Sequence, residues 1–342
     1  MNNIKKIGLS ALAGSLAMVS ANAVDYSMSG GLTAVATTQD DPNTAANSGK
    51  GLGMKTDLSF SASGELDNGF TVDYVMAVDT AGPLSNTSSQ MKVGMGSLGS
   101  FHINNEGGSY ANAIDDMTPA AYAGPWDGIS AGTNPTFFGV AVNGGSVTYR
   151  IPAQEFEGLT LNAGIDYDPN QGVGGATGGS IDTTADSASA VVVQLGQTIG
   201  DGNLSVGAGY EVLGNTATAI AEEGEHVTGY VKYVNGGLSM AYQEVYGNTK
   251  HNAAAEGADK EGRFMSVAYT MGDLTVSAAK ADYDVAAVSD TAALVTQEQT
   301  AIQAAYVMGA MTVSVSMAET DNLAGISAQN YNENTLAVSF AF

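Results

Sequence analysis

The most constraining feature of this 342-residue chain is a two-residue period of apolar side chains. At its end, Leu336, Val338, Phe340 and Phe342 alternate with small or polar residues, and residues 70–80 and 203–213 show the same pattern. Side chains two positions apart lie on one face of a β-strand, whereas a helix repeats every three or four residues. The pattern therefore predicts strands that each have one apolar and one polar face.

Short turns rich in Gly, Asn and Asp alternate along the chain with longer polar segments. Tight hairpins favour these residues because their turns need positive φ. Two other β folds are less consistent with this sequence. A two-sheet sandwich would not sort its loops by length into two ends. A β-solenoid should repeat a motif at a fixed short period, and the sequence shows no repeating motif. We predict sixteen strands, at 25–38, 52–66, 70–80, 89–97, 100–106, 144–153, 159–168, 188–199, 203–213, 226–235, 237–247, 262–271, 273–284, 297–308, 310–320 and 331–342.

The aromatic residues of the apolar faces indicate what those faces contact. One set lies next to the short turns and a second set lies seven or eight residues further along its strands, whereas the rings of an ordinary core would be spread along the strands. Transmembrane barrels carry an aromatic girdle at each edge of an apolar band about 25 Å tall. The first set is Phe70, Phe101, Tyr149, Tyr233, Tyr269, Tyr306 and Phe342, and the second is Tyr167, Tyr210 and Tyr246.

The opposite faces carry too many charged residues for a dry core, since each unpaired buried charge costs several kcal/mol. Sixteen strands enclose a lumen wide enough for water. The predicted fold is therefore an all-β transmembrane antiparallel barrel of about 16 strands, with short periplasmic turns and long external loops.

Composition and the N-terminus agree with an exported protein. Lys5 and Lys6 precede an apolar run and the sequence Ala21-Asn22-Ala23, which predicts a cleaved signal peptide over 1–23 and one barrel domain over 24–342. A membrane anchor is the alternative, but the apolar run is too short to cross a bilayer comfortably. The chain has no cysteine, which excludes disulfides, and its net charge of -24 argues against nucleic acid as a partner.

Together these features resemble the general diffusion porins of Gram-negative outer membranes, and the alphaproteobacterial branch in particular. The residues that carry the resemblance are the signal peptide, the opening strand at 26–38 and the terminal strand 334–342, which ends on Phe342. The resemblance implies a homotrimeric passive channel for ions and small hydrophilic solutes. It also implies integration in the outer membrane, contact with its lipid and lipopolysaccharide, and recognition of Phe342 by the barrel insertion machinery.

The resemblance further implies that the third long loop, 107–143, folds into the lumen as a constriction. Loop carboxylates would then face a basic wall. The family often has a denser arginine cluster on that wall, whereas this chain has only Arg150 and Arg263, and Arg263 faces outward. The expected loop acids are Glu106, Asp115, Asp116 and Asp127, and the expected inward-facing wall residues are Lys55, Lys92, Arg150, Lys232, Asp73 and His102.

The lumen charges predict a preference for cations, because acidic rings select cations and a low-dielectric wall focuses their field. Inward-facing acids outnumber the four inward-facing bases on the strands; the acids are Asp57, Glu65, Asp73, Asp79, Asp166, Asp168 and Glu211. The alternative function is a structural or adhesive surface β protein that does not conduct. An enzyme is not expected, since no Ser, Asp and His cluster stands out in one place and no strand-to-helix nucleophile elbow is predicted.

One metal site is considered. Asp166, Asp168 and the nearby Asn170 could provide oxygen ligands for calcium, but three ligands without EF-hand spacing are a weak signal. No other cofactor is expected.

Overall fold

A computed structural model describes residues 25–41, 48–79, 85–105, 107–124, 138–139, 141–142, 144–169, 187–214, 224–248, 259–285 and 295–342. The predicted signal peptide lies outside these residues. Seventeen strands form one antiparallel sheet: β1 (Asp25–Asp40), β2 (Gly49–Glu65), β3 (Thr71–Asp79), β4 (Ser85–Gly94), β5 (Ser100–Asn105), β6 (Ser146–Arg150), β7 (Gln154–Phe156), β8 (Leu159–Asp168), β9 (Ala188–Ile199), β10 (Gly202–Leu213), β11 (Gly224–Asn235), β12 (Leu238–Asn248), β13 (Asp259–Met271), β14 (Leu274–Val285), β15 (Gln297–Met308), β16 (Met311–Asp321) and β17 (Tyr331–Ala341).

The sheet closes on itself because β1 pairs with both β2 and β17. The last residue contributes to the closure: Gly30 N donates to Phe342 O at 2.8 Å, and Phe342 N donates to Gly30 O at 2.9 Å. A closed barrel leaves no strand edge exposed, which satisfies the backbone of a membrane-spanning sheet.

The barrel has sixteen strand positions, which confirms the predicted architecture. β6 and β7 are two parts of one position, since both pair with β8 and the chain between them passes through Pro152. The interval 154–158, which the predicted strands 144–153 and 159–168 leave as a turn, is too long, because Gln154–Phe156 is the strand β7. The turn consists of Glu157 and Gly158, with φ of 48° and 87°.

Several strands extend further toward the long loops than predicted. β1 reaches Asp40, β2 begins at Gly49, β4 at Ser85 and β13 at Asp259. The prediction followed apolar alternation, whereas backbone pairing continues above the apolar band with polar side chains on both faces. Strands predicted from the apolar pattern alone are therefore too short on the side of the long loops.

The two faces of the wall are oriented as predicted. Both aromatic sets point outward on the barrel, as shown by Tyr269, Tyr306, Tyr167 and Tyr210, which are exposed. Buried polar side chains line the interior, and they include Asn104, Thr148, Gln243, Gln299, Gln303 and Glu333. Among the described residues, no helix is long and apolar enough to cross a membrane.

Candidate functional site: a loop bound across the lumen

The described part of the third long loop, residues 107–124, 138–139 and 141–142, lies inside the barrel, and we call it the inner loop. Asp166 of β8 binds its start. The two carboxylate oxygens accept hydrogen bonds from Tyr110 N at 2.9 Å and Ala111 N at 2.8 Å. The Thr148 hydroxyl also donates to Asp166. Because Asp166 is buried, this carboxylate acts as a fixed acceptor for the loop backbone.

Gln243 of β12 holds the next turn of the inner loop. Its Oε1 accepts from Met117 N at 2.7 Å, and its Nε2 lies 2.8 Å from Ile114 O and 3.1 Å from Asp115 O. The side chain is fully buried. An amide provides both a donor and an acceptor, so this single residue satisfies loop N–H and C=O groups that would otherwise be buried without partners.

Two further strands bind the far end of this segment. Ser277 Oγ of β14 accepts from Ala121 N at 2.8 Å. Gln303 Oε1 of β15 accepts from Tyr122 N at 2.9 Å, and Gln303 Nε2 donates to Ala123 O at 2.5 Å. From β8 to β15, inward-facing polar side chains therefore fasten the loop along one side of the inner wall.

The return limb of the inner loop is held by Glu211 of β10. Its two carboxylate oxygens accept from Gly139 N at 3.1 Å and Val142 N at 3.2 Å, and His226 Nδ1 lies 3.0 Å from Oε2. Glu211 has no exposed surface. A buried carboxylate with several donors stabilises a limb that lacks regular secondary structure.

Apolar packing completes the attachment. Tyr110, Ile114 and Phe138 belong to a buried cluster that also includes wall residues such as Val192 and Phe264. Two wall glycines make room for the rings: a Cβ at Gly209 would collide with Phe138, and one at Gly164 would lie 2.6 Å from Tyr110. Glycine is needed at these positions because the loop approaches the strand backbone closely.

The facing wall, formed by β2–β6, carries the charged residues. Lys55 Nζ lies 3.2 Å from Asp57 and 3.4 Å from Asp79, and Lys92 Nζ lies 3.7 Å from Asp73. All five residues of these pairs face the lumen, as the alternation predicted. These pairs are half-exposed to solvent, so each contributes little to stability.

Three predicted wall residues converge at one place. Lys92 and His102 are direct cross-strand partners, and Arg150 lies on the next strand. Together they line a recess of about 260 Å³ beside the inner loop. The Arg150 guanidinium stacks on the Tyr110 ring at 4.3 Å and donates to Gly108 O at 3.4 Å. Arg150 therefore also contacts the start of the loop.

Two of the predicted loop acids lie in the described residues. Asp115 accepts from Asp116 N at 2.7 Å, and Asp116 Oδ1 accepts from the backbone N–H and the hydroxyl of Thr118 at 2.9 and 2.7 Å. Burial raises the pKa of Asp116, while the Thr118 hydrogen bonds and the positive charge of Lys232 oppose that rise. Lys232 thus acts on Asp116, and it is not among the residues that line the recess beside Lys92. Glu106 and Asp127 lie outside the described residues.

The described residues give no support to the calcium site suggested at Asp166 and Asp168. Both oxygens of Asp166 accept hydrogen bonds from the inner loop, and the described residues contain no group of three His, Asp or Glu side chains that could hold a metal. Asn170, the third suggested ligand, lies outside the described part of the chain. The loop-binding roles of Asp166, Glu211, Gln243 and Gln303 were missed. The strand alternation places these side chains on the inner face, but their partners in the loop are 55 to 181 residues away in the chain.

A closed barrel with an apolar exterior, a polar interior and an inward-folded loop defines a membrane channel with a narrowed lumen. The chain matches the model of the Gram-negative porin family over residues 8–293, and it belongs to that family. It is therefore an integral outer-membrane protein and a passive channel rather than an enzyme. No curated protein matches the sequence significantly.

Solved structures share the fold at low identity. An anion-selective porin from Comamonas acidovorans superposes with a TM-score of 0.67 and 14% identity, over 94% of this chain and all of that chain. The Salmonella typhi OmpF complex with daunomycin gives 0.64 and 13%, over 93% of this chain and 97% of that chain. The trimer form of OmpT from Vibrio cholerae gives 0.60 and 12%, over 94% and 100%. At these identities the likeness shows the fold alone.

Proposed function

We propose that the channel passes ions and small hydrophilic solutes with a weak preference for cations, and that it works as a homotrimer. The inner loop carries this proposal, because it is fastened to one wall and brings Asp115 and Asp116 into the lumen opposite the charged wall. An ion that crosses the barrel must pass between these two surfaces.

The preference is weaker than a count of inward-facing acids predicts. Asp166 and Glu211 are buried beneath the inner loop and bound to its N–H groups, so they contribute little field to the aqueous path. Asp57, Asp73 and Asp79 remain on the wall, but they lie beside lysines. The loop acids therefore tip the balance toward cations, because acidic groups at a narrowing attract them.

The test is a reversal-potential measurement on the purified full chain in a planar bilayer under a KCl gradient. We expect K⁺ to permeate better than Cl⁻, and we expect Asp115→Asn/Asp116→Asn to lower the permeability ratio severalfold, since a charge about 10 Å from an ion in water is worth about 0.4 kcal/mol. Asp201→Asn, in a short turn at the barrel end, is the matched control. A wild-type channel that prefers Cl⁻ would overturn the proposal, and so would a double variant with an unchanged ratio.

The same recording gives a pH dependence with a defined sign. Because burial raises the pKa of Asp116, this carboxylate takes up a proton at a higher pH than an ordinary aspartate. The neutral form attracts no cation, so the K⁺ preference should begin to fall above the usual aspartate range as the pH is lowered. Asp116→Asn should remove that part of the titration, and a curve that the variant leaves unchanged would contradict the assignment.

The trimer is supported by the assembly of a protein with the same fold, the trimer form of Vibrio cholerae OmpT. The native mass of the detergent-solubilised protein tests it, and a monomer would overturn it. Contact with lipopolysaccharide and recognition of Phe342 by the insertion machinery remain predictions. Absence of any conductance from correctly folded barrels would favour the structural or adhesive alternative.

A further inference from the structure

The last long loop, between β16 and β17, folds back over the start of β15. We call residues 322–330 the mouth loop. Asn322 Nδ2 donates to Thr296 O at 3.0 Å, and Val295 N donates to Gly325 O at 3.1 Å. Both partners belong to the segment that leads into β15, which is a different hairpin from the one that carries the loop. The mouth loop is therefore tied down at the rim of the barrel.

A third hydrogen bond shows on which side of the wall the mouth loop lies. Gln297 is an inward-facing, buried residue of β15, and its Oε1 accepts from Ala324 N at 2.8 Å. The short helical turn Leu323–Gly325 contacts β14 as well as β15, and Leu323 is buried. Because an inward-facing side chain binds its backbone, the mouth loop lies on the lumen side of the wall.

The mouth loop has a fixed conformation. Of the four described non-glycine residues with positive φ, three lie in this loop: Asn322 at 55°, Ala324 at 56° and Ala328 at 62°. Leu323 N also donates to Gln329 O at 2.7 Å, which closes the loop on itself. Left-handed backbone at non-glycine residues persists only where the surrounding contacts determine it, and it is concentrated at functional sites.

The chemistry of the mouth loop differs from that of the inner loop. No residue from 322 to 330 is charged. Ile326 is 53% exposed, and the small residues Ser327 and Ala328 beside it are exposed too. A neutral segment has no net charge with which to attract or repel an ion, so it can obstruct a solute only through its size and shape.

One strand holds both loops. Gln303 of β15 accepts from Tyr122 N at the far end of the inner loop, and Gln297 on the same face of the same strand binds the mouth loop. The two glutamines are six residues apart, or about 15 Å at roughly 2.5 Å per residue of a tilted strand. A solute that enters from the long-loop side therefore meets the mouth loop before it reaches the inner loop.

We propose that the mouth loop is a second filter, which limits the size of the solutes that reach the inner loop from outside. The inner loop sets the charge preference, and the mouth loop excludes bulky hydrophilic solutes whatever their charge. Gln297 is a positioning residue in this scheme, because it acts through the loop that it holds. The inference rests on the proposed diffusion channel and adds which solutes that channel excludes.

Polymer exclusion in single-channel recordings tests this filter. Polyethylene glycols of increasing size are added to one side of a planar bilayer and then to the other, and a polymer that enters the lumen lowers the conductance. Deletion of residues 323–329 from the full chain leaves a three-residue hairpin loop between the paired residues Thr320 and Tyr331. We expect the deletion to raise the conductance and to shift the cut-off size toward larger polymers on one side only.

Point variants of β15 provide the controls. Gln297→Ala removes the acceptor of Ala324 N and should shift the same cut-off by a smaller amount. Gln297→Glu keeps an acceptor oxygen and should retain the wild-type cut-off. Gln299→Ala is the matched control, since Gln299 is also inward-facing and buried on β15 but its Oε1 makes no hydrogen bond. It should leave both cut-offs unchanged.

The outcomes separate this inference from the proposed function. A wild-type protein without conductance would overturn both. A conducting wild type whose two cut-offs are the same in the deletion variant would overturn the mouth filter alone. Equal shifts of both cut-offs would contradict it, and so would a change in the K⁺ to Cl⁻ ratio as large as that of Asp115→Asn/Asp116→Asn. If the deletion variant does not fold to a heat-modifiable barrel, Gln297→Ala decides between the same outcomes.

Discussion

The two inner walls of this barrel are built from the same alternating pattern but use their polar residues differently. On β8–β15, the inward-facing Asp166, Glu211, Gln243 and Gln303 are buried and bind the backbone of the inner loop. On β2–β4, inward-facing charged residues remain half-exposed and pair with one another. One wall therefore holds the loop in place, and the other wall remains in contact with the aqueous path.

This difference shows that polarity inside a barrel has two separate uses. Buried acceptors that satisfy loop N–H groups are structurally important, because leaving such groups without partners costs about 1–3 kcal/mol each. Exposed ion pairs are worth about 0–1 kcal/mol, so they can be changed for selectivity with little effect on folding. Three substitutions test this distinction, in order of decreasing expected effect.

Glu211→Ala should have the largest effect. It leaves the N–H groups of Gly139 and Val142 without this acceptor and removes one partner of His226. We expect a loss of about 1–3 kcal/mol for each unsatisfied donor, and a return limb that moves in the lumen. Single-channel recording should show higher current noise and altered conductance.

Two variants serve as controls for this change. Glu211→Gln keeps one acceptor oxygen and should show a smaller effect. Glu65→Ala removes a lumen carboxylate at the periplasmic end of β2 and should leave the noise unchanged. If Glu211→Ala behaves like Glu65→Ala, then Glu211 acts only as a charge and the distinction between the walls is wrong.

Gly209→Ala should have an intermediate effect. The added methyl would collide with the Phe138 ring, whereas Gly196, also on the inner face, has no atom within 4 Å of such a methyl. Overpacking a tight contact costs about 1–3 kcal/mol. We expect Gly209→Ala to lower the temperature at which the barrel unfolds on a heat-modifiability gel, and Gly196→Ala to leave it unchanged. Equal unfolding temperatures for the two variants would contradict close packing of the loop on β10.

Lys55→Gln should have the smallest effect on stability and a measurable one on selectivity. It removes the positive charge beside Asp57 and Asp79, and the affected pairs are half-exposed. The unfolding temperature should stay within the range expected for about 0–1 kcal/mol. The reversal potential should shift toward greater K⁺ preference, because two carboxylates lose their neighbouring cation. A large loss of stability would show that this wall is also structural.

Much of the fold could be predicted from local patterns. The alternation at 203–213 and 331–342 predicted β10 and β17, and counting such stretches predicted sixteen strand positions, all of which the structure shows. The alternation of side chains along each strand also assigned Lys55, Lys92 and Arg150 to the inner face of the barrel. These properties depend only on the two-residue repeat of a strand, which is visible within a few residues of sequence. The split at Pro152 was missed because the second part, β7, lies in the interval that the prediction assigned to a short turn.

The sequence by itself determined which residues face lipid and which face the lumen, since that property follows from each strand alone. Only the tertiary structure decided what the lumen residues do. Asp166 and Asp73 have the same side chain, and both face the lumen. Asp166 nevertheless binds the backbone of Tyr110 and Ala111, whereas Asp73 lies beside Lys92. Their difference depends on where a loop from a distant part of the chain lies across the closed barrel, and long-range contacts of that kind leave no periodic signal in the sequence.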